Sequence, residues 1–122
     1  MENNLHLVGW LRKIKLDWDL DLEKLARLSH TRGEILTQMF ALSQAEIDSL
    51  PSVPSGLDNA VALVGVYRRV AEAYPDAAAQ NEWLLKENSV LEGNRPIDAM
   101  AMSPEHLAYV SYVVESGLRL AP

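Results

Sequence analysis

Cysteine is absent from this 122-residue chain. That excludes a disulfide framework and every cysteine-based zinc or iron–sulfur site, and it fits a reducing compartment. The six glycines stand apart from one another, so no glycine-rich loop is available to cradle a phosphate. No apolar run approaches the roughly 18–20 residues that a membrane span needs. The first residues, MENNLHLVGWLRK, place Glu2 ahead of the apolar stretch and offer no small-residue cleavage site, so they do not read as a signal peptide. The expected location is cytoplasmic. Cations are also scarce: 11 Lys and Arg face 17 Asp and Glu, for a net charge of −6. Without a basic surplus, non-specific attraction to nucleic acid is weak unless folding gathers a local basic patch.

What remains is ordinary for one globular domain with its own hydrophobic core, with 48% hydrophobic and 23% charged residues. No period-2 run with hairpin chemistry is present, whereas helix signals are frequent. The fold class expected is all-α, a compact multi-helix domain. Leu7, Leu11, Ile14 and Trp18 recur at three- and four-residue spacing and predict an amphipathic helix over about residues 5–16. Asp21 is placed to cap a short helix carrying Leu22, Leu25, Ala26 and Leu28. Thr31 with Glu34, and Ser43 with Glu46, read as capping boxes for two more. PSVPSG, residues 51–56, is a breaker that divides an N-terminal region, 1–50, from a C-terminal one, 56–122.

Beyond it the longest helix, about Leu57 to Tyr74, is apolar nearly all round and reads as the buried centre. Pro75-Asp76 breaks it and starts a helix through Trp83, Leu84 and Leu85. Pro96 and Ser103-Pro104 then mark two further helix starts, the last running to about Ser116 with Gly117 placed to end it.

Catalytic chemistry is not indicated, and no cofactor is implied. His6, His30 and His106 lack a second ligand at metal spacing. Asp17, Asp19 and Asp21 imitate the start of a calcium-binding loop, but Leu22 occupies the position of the required glycine and Leu28 that of the bidentate glutamate. A solvated acidic turn is the better reading.

Residues 22–39 have the spacing of a helix–turn–helix, with Leu25 and Ala26 in a first helix, a turn at His30-Thr31, and Leu36 and Met39 in a second. Its second helix presents Arg32, Thr37 and Gln38 as DNA-binding candidates, since Thr37 and Gln38 can reach base edges. Glu34 on the same helix opposes phosphate, and a glycine often stands where His30 does. A helical hairpin that merely packs explains the spacing equally well.

The segment 83–97 carries W-L-x(3)-N-x(4)-G-x(2)-P-[IL] as Trp83, Leu84, Asn88, Gly93, Pro96 and Ile97. With the apolar helix GLDNAVALVGVYRRVAEAYPD before it and a last helix after it, residues 56–118 resemble the C-terminal toxin-binding domain of Xre/MbcA/ParS-type antitoxins. Each residue of the motif also has a structural explanation: Trp83 and Leu84 as core anchors, Asn88 as a backbone cap, Gly93 for a positive φ. Where the family often has a glycine-containing segment before its last helix, this chain has AMSPEHLA.

The resemblance implies a non-enzymatic antitoxin whose partner is a cognate toxin, of the NAD⁺-consuming RES type or a related ADP-ribosyltransferase. It also implies self-association into a homo-oligomer, and regulation of its own operon as the alternative role of a DNA-binding regulator. On the last helix, at about 100° per residue, Leu107, Val110, Ser111, Val114 and Leu118 share one face. Tyr109, Tyr112 and Val113 point the other way. That second face is the expected toxin-binding surface, unless the helix is buried on both sides. The resemblance further assigns the tail as a plug for the toxin's active-site entrance, with Ser116, Leu118 and Arg119 as its candidate residues. An unattached terminus is the ordinary alternative for such a tail.

Overall fold

A computed structural model describes residues 2–43, 45–46 and 58–115. Seven α-helices are bounded within them: α1 (Glu2–Asp17), α2 (Leu22–Ser29), α3 (Gly33–Ala41), α4 (Asp58–Ala73), α5 (Ala77–Leu85), α6 (Pro96–Met102) and α7 (Pro104–Glu115). A short 3-10 turn, Ser89–Leu91, lies between α5 and α6, and no strand occurs among the described residues. The all-α expectation therefore holds. The segment 51–56 lies outside the described residues.

Residues from both sides of that segment build one hydrophobic cluster. The predicted stripe of α1 is buried as read: Leu7, Leu11, Ile14 and Trp18 meet Leu63, Val66, Tyr67 and Val70 of α4, Leu84 of α5, Met100 of α6 and Leu107 of α7 in that cluster. The helix itself starts earlier than predicted, at Glu2. Packing is most extensive between α4 and α7 and between α6 and α7, while α1 lies on α4 and α2 touches α3, α4 and α6. The central helix is less completely enclosed than its sequence suggests, because Val61 is 56% exposed and Arg68 faces outward. Arg68 sits over Trp10 instead, with its guanidinium carbon 5.0 Å from the ring centroid, so one turn of α4 is covered by α1 from its edge.

Helix ends show where local chemistry was read correctly and where it was not. Asp21 caps α2 by accepting from the Lys24 N–H at 2.7 Å. Ser43 and Glu46 form a reciprocal capping box, Glu46 Oε1 accepting from Ser43 N at 2.8 Å and Ser43 Oγ from Glu46 N at 3.1 Å. Thr31 and Glu34 do not. The residue before α3 is Arg32, with no side-chain cap. Thr31 is buried, and its hydroxyl donates to the Ser29 carbonyl at 3.1 Å. Burial turned this threonine inward to close the end of α2, which left the start of α3 without it.

Helix α2 ends in a left-handed residue, His30 at φ 51°, with the Thr31 and His30 N–H groups returning to Ala26 O and Arg27 O. The glycine common at such a position is replaced by a histidine whose ring has a second task. Its Nε2 lies 2.7 Å from the Met100 carbonyl near the end of α6. The turn is thereby fixed to the C-terminal half of the fold.

A polar network missed by helix periodicity joins α1, α4 and α5. Trp18 Nε1 donates to Gln80 Oε1 at 3.0 Å in the core, and Gln80 Nε2 donates to the Tyr74 carbonyl at 2.9 Å. Asn81 Nδ2 donates to the Asp17 carbonyl at 2.8 Å, and the Tyr67 hydroxyl donates to the Asp17 carboxylate. The acidic turn is thus only partly solvated. Asp19 and Asp21 are exposed, but Asp17 is held by Tyr67 and by Lys13 at 3.4 Å.

Candidate partner-binding site

Helix α7 begins as its Ser-Pro signal predicts: Ser103 Oγ accepts from the His106 N–H at 3.1 Å, and Pro104 follows where no N–H is needed. Its inner stripe of Leu107, Val110 and Val114 is at most 1% exposed, with Ser111 half-buried beside it. Opposite, Tyr109 is 49% and Tyr112 70% exposed. The two-faced reading of this helix holds for the tyrosines. It fails for Val113, which is half-buried and packs against the core from the flank of α7. A broader apolar seam is needed where α7 lies between α4 and α6, and Val113 is taken into it. Ser116, Leu118 and Arg119 lie outside the described residues.

The motif of segment 83–97 shapes the ground beside those tyrosines. Trp83 and Leu84 are buried, as core anchors should be. Trp83 Nε1 has no hydrogen-bond partner among the described residues, so this anchor keeps its place through packing of its ring. Asn88 is 4% exposed, and its Oδ1 accepts from the Val90 N–H at 2.9 Å. The chain then reverses through Glu92 and Gly93, both at positive φ, and returns the Gly93 N–H to the Asn88 carbonyl at 2.9 Å. Pro96 opens α6 at its first turn and is buried, and Ile97 is half-buried against the core. These six residues therefore build the loop and its attachment.

What the loop presents outward is Val90, 38% exposed, whose carbonyl lies 3.5 Å from the Tyr109 hydroxyl. Between loop and helix is a cleft of about 400 Å³, lined by Leu91, Glu92, Asn94, Ala99, Glu105, His106 and Tyr109. Sequence reasoning found Tyr109 but not the rest, because the cleft exists only where α6 and α7 cross. Val90, an apolar residue in a turn-rich stretch, marks the loop beside the cleft but does not line it.

The DNA-binding candidates are presented on the surface at α3. Arg32, Thr37 and Gln38 are all exposed, and Arg32 and Thr37 line a shallow groove with Arg27 and His30. Arg32 pairs with Glu34 at 3.5 Å. A hydrogen bond from the backbone N–H of Glu34 itself, and secondarily the charge and N–H of Arg32, hold the Glu34 carboxyl below the usual range. An anion approaching Arg32 therefore meets a fixed carboxylate beside it. Arg27 is likewise paired, with Glu23 at 2.8 Å.

Among the described residues no group of three or more His, Asp or Glu side chains is placed to hold a metal ion. No described helix is long and apolar enough to cross a membrane. The chain matches no protein-family model and no curated protein.

Proposed function

We propose that this protein is an antitoxin that binds and neutralises a cognate NAD⁺-consuming toxin of the RES type by covering its active-site cleft. The observation that carries the reading is the division of α7. One stripe is sealed into the core while Tyr109 and Tyr112, on a helix held rigid from behind, expose about half and two-thirds of their surface. Tyrosines supply large apolar area with a polar tip at little conformational cost, which suits them to anchor a protein interface. The motif W-L-x(3)-N-x(4)-G-x(2)-P-I adds the family resemblance, and each of its residues has a role in forming the loop beside that face. A net charge of −6 complements a partner whose pocket binds a dinucleotide's phosphates.

The test is co-expression with the product of the adjacent gene. The wild-type chain should restore growth and co-purify with it. Y109A/Y112A should lose rescue and bind at least about 100-fold more weakly, as expected for two central anchors. Its circular dichroism should remain that of a folded helical protein, because the inner stripe of Leu107, Val110 and Val114 that seats α7 is untouched. Full rescue by the variant, or no complex with the wild type, refutes the proposal.

A second reading, a DNA-binding regulator, is favoured by one observation: Thr37 and Gln38 are exposed together on α3. It requires tight, steeply salt-dependent binding to the promoter of its own operon.

A further inference from the structure

The cleft between the 3-10 turn and α7 has an apolar floor and an acidic rim. Leu91 and Ala99, 4% and 3% exposed, form the floor, and Tyr109 forms one wall. Glu92 and Glu105 stand at its edge with Asn94 and His106. The carboxylates of Glu92 and Glu105 make no ion pair with any described residue. Arg95, close to Glu92 in sequence, does not answer them: it is committed to Asp98 through two contacts, Nε–Oδ2 at 2.7 Å and a second N–H to Oδ1 at 3.2 Å. No Lys or Arg lines the cleft, so two carboxylates without a basic side-chain ion pair stand around an exposed aromatic ring, Glu105 in the first turn of α7.

We infer that this cleft receives an arginine side chain of the protein partner, its guanidinium stacked on Tyr109 and hydrogen-bonded to Glu92 and Glu105. The inference rests on the antitoxin reading and names the chemistry that the partner must bring to that face. A phosphate-bearing ligand is repelled by both carboxylates, and a purely apolar segment would leave them desolvated without a partner. A guanidinium answers each feature at once. It is planar and weakly hydrated, it stacks on aromatic faces, and it presents several N–H donors to carboxylates. Asn94 adds a side-chain carbonyl at the same rim. Lysine, a strongly hydrated point charge, fits the apolar floor less well.

The experiment uses the full chain, labelled with ¹⁵N, and a probe that needs no toxin. The peptide acetyl-Leu-Arg-Leu-amide is titrated against its citrulline counterpart, which has nearly the same shape and no charge. The arginine peptide should shift the amides of Glu92, Asn94, Ala99 and Tyr109, and the citrulline peptide should bind at least about ten-fold more weakly. E92Q/E105Q, at two exposed positions, should abolish the difference between the peptides and weaken the toxin complex by a similar factor. Equal shifts from both peptides overturn the inference, as does the absence of shifts at the cleft. Shifts that grow with protein concentration alone, marking a second copy of the chain there, also overturn it. Specific arginine-peptide binding without any toxin complex would sink the antitoxin reading alone. A toxin complex indifferent to E92Q/E105Q would sink this inference alone.

Discussion

Replacing Gln80 by leucine tests whether the buried hydrogen bond between α1 and α5 holds the two halves of the chain together. Gln80 and Trp18 are each 2% exposed, and their 3.0 Å bond spans 62 residues of sequence. Leucine fills a similar volume but accepts nothing, so the indole N–H of Trp18 stays buried without a partner. An orphaned buried donor costs about 1–3 kcal/mol. The Tyr74 carbonyl also loses its 2.9 Å donor, although Tyr74 is only half-buried and water recovers part of that loss. The expected destabilisation is about 2–4 kcal/mol, or roughly 4 °C of melting temperature per kcal/mol for a chain of this size. Urea unfolding followed by far-UV circular dichroism measures it, and the m-value should stay constant. Trp18→Phe removes the donor and part of the ring, for a loss on the order of 2 kcal/mol. In the double variant no N–H is left stranded, so it should be about 1–2 kcal/mol more stable than the two single losses predict. A Gln80→Leu protein within about 0.5 kcal/mol of wild type, or strictly additive losses, would refute the reasoning.

Two further outcomes are expected. Burial of Tyr67, then its bond to the Asp17 carboxylate and that charge, push the phenol's pKa well above its ordinary value. The folded state then holds its proton more tightly than the unfolded chain. The resulting stability is complete below about pH 10 and declines as pH rises toward the folded value, at up to about 1.4 kcal/mol per pH unit. Tyr67→Phe should lose about 1.5–3 kcal/mol at neutral pH and flatten this alkaline decline, as read from urea midpoints between pH 8 and 11. Gly93, at φ 83°, has open space where a Cβ would sit. Gly93→Ala should therefore lose about 1–2 kcal/mol from backbone strain alone, and Gly93→Asn less; equal losses for the two in urea melts would contradict that cause.

Much of the helical architecture was legible because it follows from spacing along one helix or from chemistry within four residues. The α1 stripe, the Asp21 cap, the Ser43–Glu46 box, the Asn88 cap, Gly93 and the proline starts of α6 and α7 are all of this kind. Three of the misreadings share one cause: a distant part of the chain competed for the side chain. Thr31 was drawn into the interior, Asp17 was claimed by Tyr67, and Val113 was absorbed into a seam wider than one stripe. The same limit governs the site. The exposure of Tyr109 and Tyr112 follows from periodicity, but the cleft beside Tyr109 depends on the crossing of α6 and α7. No spacing rule encodes a crossing.

The imidazole of His30 finishes two helices at once. Its own backbone terminates α2 in a conformation that a side chain resists by about 1–2 kcal/mol, while its ring supplies a partner to a carbonyl at the end of α6 that the helix itself cannot satisfy. Glycine would relieve the first difficulty and recreate the second. The two effects oppose each other at similar size, so the departure from the usual turn residue is a compromise between neighbours 70 positions apart, and the hairpin of α2 and α3 is anchored to the very helix that floors the cleft.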